Sequence, residues 1–295
     1  MPWADAGAPG PPILAGDAPA LASFGIVGFG RMAQALLLPL ITDGVITPGA
    51  VRAAVASEAS ARHLAEAHGL AVSTNPDAAW GCSTVLLAVK PQQLEAVAAA
   101  AASPVAAGAG FPAAAHPESP LLISVLAGVR LERLEALFPG WVCVRAVPNT
   151  PCLVRSGLTG LAWGQGIDPR RREWVQGLFA RVGEVVELPE GQLDAFLALT
   201  SSGPAFVALV AEALADGAVA AGLPRVQAQH LAHRTLAGTA ALLHQRELHP
   251  GQLKDMVSSP GGTTIAGLRE LERAGLRSAL IEAVLAAAAR SRELA

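Results

Sequence analysis

Residues Ser258 to Gly275 read SSPGGTTIAGLRELERAG. Two adjoining glycines stand among serines and threonines, and no formal charge occurs before Arg269. Successive main-chain amides in such a turn form a nest for a small anion such as a carboxylate. The hydroxyl of Thr264 lies where it can reach a polar atom in the same pocket. A P-loop is excluded, because no Gly-Lys-Ser/Thr closes the run and no strand clearly leads in. The same residues would also make a tight interhelical turn whose hydroxyls only cap the next helix.

A second glycine turn, GFGRMA, spans Gly28, Phe29, Gly30, Arg31, Met32 and Ala33. It follows a short apolar run and opens an amphipathic one. Gly28 permits the tight turn, Gly30 leaves room for a pyrophosphate, and Ala33 lets the helix approach the sheet. The next strand ends near Ser57, where an NAD site would carry an acidic residue. A serine there, with Arg62 one helical turn beyond, favours a 2'-phosphate and hence NADP, although Glu58 blurs the pattern. Ala88, Val89, Lys90 and Pro91 close a third strand, and ligands lie beyond such carboxyl ends. Lys90 is one of two lysines in the chain; it can meet a phosphate, support the loop or point to solvent. Taken together, the two glycine turns suggest a reductase with a cofactor domain and a substrate-closing domain.

Three further features remain open on the residues alone. RAVPNTPC (145–152) fixes the chain around Asn149, whose amide can face a nicotinamide or cap the turn. Thr200 to Pro204 is a small-residue turn that caps a helix or lines the pocket. Cys152 has no base at a recognisable spacing, which argues against a thiol nucleophile. The seven histidines and three cysteines form no metal pattern.

The elements that must position these residues follow from periodicity. Apolar strand runs at 24–27, 51–56, 84–89, 121–126 and 142–146 alternate with helical runs at 31–43, 59–68 and 94–101, with Pro39 expected to kink or shorten the first helix. This alternation predicts a mostly parallel, doubly wound α/β sheet. From about Val186 strands give way to alanine- and leucine-rich helices at 206–221, 226–244, 264–274 and 276–294. Two of these are apolar on nearly every side, which calls for a partner subunit or intertwined helices. The expected division is a flexible tail over 1–22, a dinucleotide-binding domain over 23–185 and a helical domain over 186–295. The stretch 101–120 reads as a surface loop. A net charge of -3 gives no basis for nucleic-acid binding. No clean apolar run of membrane-spanning length occurs, and the first residues lack the pattern of a secretory signal. A reducing cytoplasm is the expectation.

From residue 24 onward the chain resembles the pyrroline-5-carboxylate reductase family, through GFGRMA, AVKP, RAVPNTP, SSGPAF, GLP and above all HPGQLKDMVSSPGGTTIAGLRELE (249–272). The resemblance implies a Rossmann-type domain followed by an all-α dimerisation domain, a homodimer that in some members assembles into decamers, and NAD(P)H-dependent reduction of a cyclic imine acid to L-proline. It implies that Gly28, Gly30 and Ala33 hold the pyrophosphate, that Ser57 and Arg62 flank the adenosine ribose, that Val89, Lys90 and Pro91 line the cofactor, and that Asn149 lies near the nicotinamide. Ser259, Gly261, Gly262 and Thr263 would cradle the substrate carboxylate, and Thr264 would hydrogen-bond the ring nitrogen. Two departures are Ser201, where the family commonly has glycine, and Phe206, where it has tyrosine. They leave a six-membered cyclic imine acid as an alternative substrate. A dehydrogenase of hydroxy or amino acids would need a base, with Lys254 and His249 the nearby candidates, and a cofactor-sensing scaffold would need only the first turn.

Overall fold

The computed structural model describes residues 23–101 and 119–294. The tail expected over 1–22 and most of the loop expected over 101–120 lie outside the described residues. The chain forms two compact units, one reaching Ser201 and resuming at Ala288, the other spanning Ser202–Ala287.

The first unit is built on one eight-stranded sheet of order β3-β2-β1-β4-β5-β6-β7-β8. Its strands are β1 (Phe24–Val27), β2 (Val51–Ala54), β3 (Ala71–Ser73), β4 (Thr84–Leu87), β5 (Leu121–Ser124), β6 (Val142–Val147), β7 (Gly157–Trp163) and β8 (Gly183–Glu187). The pairs from β3 through β6 are parallel; β6 and β7 pair antiparallel, and β8 runs parallel to β7. Val27 lies beside both Ala54 and Leu87, so β1, β2 and β4 end level with one another. The strand order reverses at β1, and the crevice between β1 and β4 is where such sheets bind ligands.

The central strands β1, β4, β5 and β6 are buried along their whole length, as expected of parallel strands covered on both faces. Successive side chains take opposite faces. Phe24, Ile26, Leu86 and Ile123 pack with Leu36, Leu37 and Leu40 of α1 (Arg31–Thr42) and with Val175, Leu178 and Phe179 of α6 (Pro169–Ala180). Val27, Val85, Leu87 and Leu122 face the other way, onto Trp80, Leu94, Leu134 and Phe138. These come from α3 (Asp77–Trp80), α4 (Leu94–Ala101) and α5 (Leu131–Leu137) with its following residue. Trp80 stacks against Phe138 at 5.5 Å and meets Trp141 edge-on at 5.7 Å. The remaining helix on this sheet, α2 (Glu58–His68), starts at Ser57 and closes at Gly69. Pro39 does not shorten α1: it stands in the last turn, and the helix runs on to Thr42.

The expected domain division at residue 186 differs from the observed one at Ser201. The short helix α7 (Leu193–Thr200) has the composition of the helical half, but its Leu193 is fully buried in the core beside the sheet, and its Leu193 and Phe196 side chains lie over Gly160 of β7. The second unit holds α8 (Gly203–Ala220), α9 (Arg225–Gln245), α10 (Pro250–Met256), α11 (Thr263–Arg273) and most of α12 (Leu276–Glu293). Its own core is small, formed by Ala215, Ala228 and Ala232. Large apolar side chains lie outside it, with Val226 80% and Leu209 66% exposed. Among the described residues one helical stretch, 190–220, is long and apolar enough by composition to cross a membrane; it is two helices, broken at Ser201 and Ser202.

The return of the C-terminus to the first unit rests on a buried polar cluster. Arg145 of β6 is 1% exposed. Its Nη1 lies 3.2 Å from Glu190 Oε1, and its Nη2 lies 3.6 Å from Asp194 Oδ1. Ser291 of α12 donates a hydrogen bond to the same Asp194 oxygen at 2.7 Å, and the Leu131 N–H donates to Glu190 at 2.6 Å. Removing the guanidinium leaves buried carboxylate without its counter-charge, an arrangement that costs about 3–5 kcal/mol. Arg145→Met is therefore expected to lower the denaturation midpoint sharply, read by circular dichroism during urea titration.

Candidate active site

The dinucleotide turn is shaped by backbone crowding on one side and open space on the other. Gly28 has φ +92°, and a Cβ there would lie 2.7 Å from the Ala88 carbonyl and 2.8 Å from the Val89 nitrogen. No side chain fits, and the conformation itself is one that L residues avoid. Gly30 is the N-cap of α1 and would have nothing within 4 Å of an added Cβ. The amides of Arg31, Met32 and Ala33 begin the helix, where N–H groups have no intrahelical acceptor. The first turn carries no acidic residue, so the positive end of the helix dipole is left uncompensated. This cradle fits a pyrophosphate. Ala33 is fully buried against the sheet, as its place in the motif requires. The Phe29 side chain turns inward from the cradle. The ring is 3% exposed and packs edge-on against His68 at 6.2 Å, while its carbonyl accepts from Gln34 Nε2 at 3.1 Å. Gln34, a residue without any motif to mark it, thus braces the turn.

Ser57 ends the connection from β2 and caps α2, accepting from the Ser60 N–H at 3.2 Å. Glu58 is drawn toward β3, where its carboxylate accepts from Thr74 at 2.6 Å. Arg62 is exposed and has no hydrogen-bond or ion-pair partner among the described residues. Beyond β4, Val89, Lys90 and Pro91 form the neighbouring lip, with the Lys90 N–H donating to Gln93 Oε1 at 3.3 Å and the Lys90 side chain exposed. Exposed cations at Arg31, Arg62 and Lys90 therefore occur on the three connections that leave level strand ends. That charge pattern suits a dinucleotide carrying an extra phosphate.

The Asn149 side chain is held inside the protein. It is 4% exposed. Its Nδ2 donates to the Thr200 carbonyl at 2.9 Å, and its Oδ1 accepts from the Leu158 N–H at 2.8 Å. Both ends of the amide are engaged within the protein, the capping alternative of the two read from the sequence. Cys152 is fully buried, and burial pushes its thiol above the ordinary range. The Cys143 thiol is pushed up to about 12 by burial and by the neighbouring Glu135. Neither is a usable nucleophile.

The second glycine turn lies in the helical unit. Gly261 has φ +67° and Gly262 is the N-cap of α11, whose first residues are Thr263 and Thr264. The Gly262 N–H closes the turn on the Ser259 carbonyl at 3.0 Å, and the Ser259 hydroxyl stands over Gly262. No side chain caps the helix, and no acidic residue occupies its first turn. The start of α11 thus offers main-chain donors and the hydroxyls of Ser259, Thr263 and half-buried Thr264 to an anion. Gly261 and Gly262 edge an open depression that also touches Lys254, Ile265 and Arg269. His249 is itself an N-cap: its Nδ1 accepts from the Gly251 N–H at 3.1 Å, and its own N–H donates to Gln252. The two departures are explicable in part. Ser201 has ordinary helical dihedrals, so glycine is not required there, and its hydroxyl donates to the Pro148 carbonyl at 3.3 Å. Nothing in the structure explains Phe206.

Comparison with known proteins gives the same division of labour. Residues 190–294 match the family model "Pyrroline-5-carboxylate reductase dimerisation", and residues 23–110 match "NADP oxidoreductase coenzyme F420-dependent". The chain is 46% identical to the pyrroline-5-carboxylate reductase of Synechocystis over 92% of this chain and 97% of that protein. It is 38% identical to the enzyme of Arabidopsis thaliana, over 92% of this chain and 94% of that one. Among solved structures it resembles the pyrroline-5-carboxylate reductase of Coxiella burnetii, with a TM-score of 0.79 and 30% identity, covering 93% of this chain and 99% of that one. The Plasmodium falciparum pyrroline carboxylate reductase with NADP bound has a TM-score of 0.80 and 26% identity, over 92% and 98% of the two chains. With an open-amide dinucleotide turn in one unit, a hydroxyl-lined nest in the other and relatives alike over nearly the full length, the chain belongs to the pyrroline-5-carboxylate reductase family.

Proposed function

We propose that this chain reduces 1-pyrroline-5-carboxylate to L-proline, with NADPH as the preferred reductant and NADH as a weaker one. The observation that carries the reading is the nest at the start of α11, uncharged and rich in donors, within a chain that also carries the dinucleotide turn. The substrate's ring nitrogen takes a proton from water, which makes the adjoining ring carbon electrophilic. Ser259, Gly261, Gly262 and Thr263 hold the carboxylate, and the Thr264 hydroxyl accepts from the protonated ring nitrogen. Once that nitrogen is charged no strong acid is required, in keeping with the lack of charge from Ser258 to Leu268. When bound, NADPH supplies hydride equivalents to the ring carbon. Gly28 through Ala33 grip its pyrophosphate by their main chain, Arg62 and Ser57 serve the phosphorylated ribose, and Val89, Lys90 and Pro91 line the crevice. Orientation of the two reactants accounts for much of the rate.

The exposed leucines and valines of the helical unit are the buried surface of a homodimer in this reading, and the matched dimerisation model supports it. Five such dimers forming a decamer is the larger assembly we propose. The segment 190–220 then serves subunit contact rather than a membrane, and the enzyme works in the cytoplasm.

The decisive assay follows NADPH oxidation with pyrroline-5-carboxylate, beside NADH and beside the six-membered homologue. Turnover is expected to be fastest with the five-membered substrate and NADPH. Oxidation of a hydroxy acid, with no turnover of either imine, would overturn the reading. Arg62→Ala is expected to reduce the preference for NADPH over NADH by about tenfold or more, the worth of a charge-assisted hydrogen bond. Thr264→Ala removes one hydrogen bond to a charged partner, about 1.5–3 kcal/mol. Its kcat should fall accordingly while the Kd for NADPH, measured by fluorescence titration, stays near the parent value.

A further inference from the structure

We infer that Thr74 is a specificity-determining residue for the dinucleotide: its hydroxyl holds the Glu58 carboxylate on the outer side of the sheet and so keeps Arg62 free for a 2'-phosphate. The inference rests on the cofactor reading proposed above and adds the residue that sets the preference between NADPH and NADH.

The place at issue is the carboxyl end of β2. A site that takes NAD has an acidic side chain there, which accepts from the ribose hydroxyls. This chain has Ser57 at that place and Glu58 next to it. Ser57 is committed to the start of α2: its oxygen accepts from the Ser60 N–H at 3.2 Å and bonds the Ser60 hydroxyl at 2.9 Å. Glu58 is the acidic residue in the first turn of that helix, where the positive end of the helix dipole favours it. Arg62 stands four residues on, in the favourable order for an ion pair along a helix. Yet the pair is not made. The Glu58 carboxylate accepts from Thr74 Oγ1 at 2.6 Å instead, and Arg62 has no ion-pair partner among the described residues.

Thr74 is placed to hold the carboxylate aside. It directly follows β3, and β3 lies on the far side of β2 from β1. The tie therefore draws the charge away from the crevice at β1 and β4. The backbone around Thr74 is pinned. The Ser73 carbonyl accepts from the Val55 N–H at 3.0 Å. The Ser73 hydroxyl accepts from the Asn75 N–H and donates to the Asn75 carbonyl, both at 2.9 Å. Asn75 Oδ1 accepts in turn from the Asp77 N–H at 3.0 Å, where α3 begins. With the loop fixed in this way, the carboxylate is the partner that moves to meet the hydroxyl. Once released from Thr74, it has two courses. Paired with Arg62 it cancels the cation that a 2'-phosphate needs. Turned to the ribose it repels that phosphate and accepts from an unmodified diol. Either course favours NADH. All of these residues belong to the first unit, so the choice of reductant is made without the helical one.

The test uses the full chain with Thr74→Val, Thr74→Ser, and Thr74→Val combined with Glu58→Gln. NADP+ and NAD+ are titrated against each in the absence of any imine. In Thr74→Val the ratio of the two dissociation constants is expected to shift toward NAD+ by about three- to tenfold, the span of one hydrogen bond at an exposed position. Thr74→Ser keeps the hydroxyl and should keep the parent ratio. Adding Glu58→Gln to Thr74→Val should bring the ratio back to within about twofold of the parent, because no charge is left to release. Equal losses of affinity for both dinucleotides, or a lower melting temperature with the ratio unchanged, would mean a structural role alone and would overturn the inference. So would a shift toward NAD+ that persists with Glu58→Gln, since the carboxylate would then have no part in it. Turnover of pyrroline-5-carboxylate by the parent enzyme reports on the proposed reaction, and the parent's own ratio reports on its preferred reductant; the change in that ratio reports on Thr74.

Discussion

The cofactor half of this protein depends on one steric fact: at the end of β1 two stretches of backbone approach so closely that no side chain can stand between them. Gly28 meets the carbonyl of Ala88 and the nitrogen of Val89 at distances a methyl group would violate. That contact brings the turns after β1 and β4 together above level strand ends. The crevice follows from this crowding, and so does the exposure of Gly30 and the free amides of α1. A dinucleotide is then met by main-chain dipoles and peripheral cations, with no acidic residue in the first turn of α1. Main-chain donors are also the principal resource of the helical unit, where Gly261 and Gly262 open the start of α11.

The helical unit reverses the usual placement of side-chain size. Its inner contacts are made by alanines, at 215, 228 and 232, which let α8 and α9 lie close. Its leucines, isoleucines and valines point outward. Exposed apolar surface on that scale marks a site of association. A unit of this kind has too little interior of its own, and its stability is tied to what covers it.

The two glycine turns at helix starts and much of the sheet could be read from the residues, for physical reasons that also explain what could not. Central strands such as 84–87 and 121–124 are apolar but for one terminal hydroxyl residue each, because they are covered on both faces. The helix at 94–101 was legible to the residue. The strands β3, β7 and β8 carried no such signal: β3 has three residues and an exposed edge, β7 contains two glycines, and β8 has only two valines between glutamates. The boundary read at 186 follows composition, which α7 shares with the helical half and which the matched dimerisation model from residue 190 also follows, while the packing of Leu193 beside the sheet sets the division between compact units at Ser201. The side-chain roles of Phe29 and Asn149 were the least accessible. Each depends on partners distant in sequence: Phe29 packs on His68, and Asn149 bonds Thr200.

The tie between Asp194 and Ser291 joins residues 97 positions apart. During synthesis the helices between them must emerge before the second partner exists. Until the last turn of α12 leaves the ribosome, the cluster around Arg145 lacks one of its members, and closing so long a loop carries an entropic cost that local contacts do not. The nucleotide-binding unit is thereby closed by residues that follow the helical unit in sequence, so its polar cluster is assembled across an interposed unit rather than from one continuous segment.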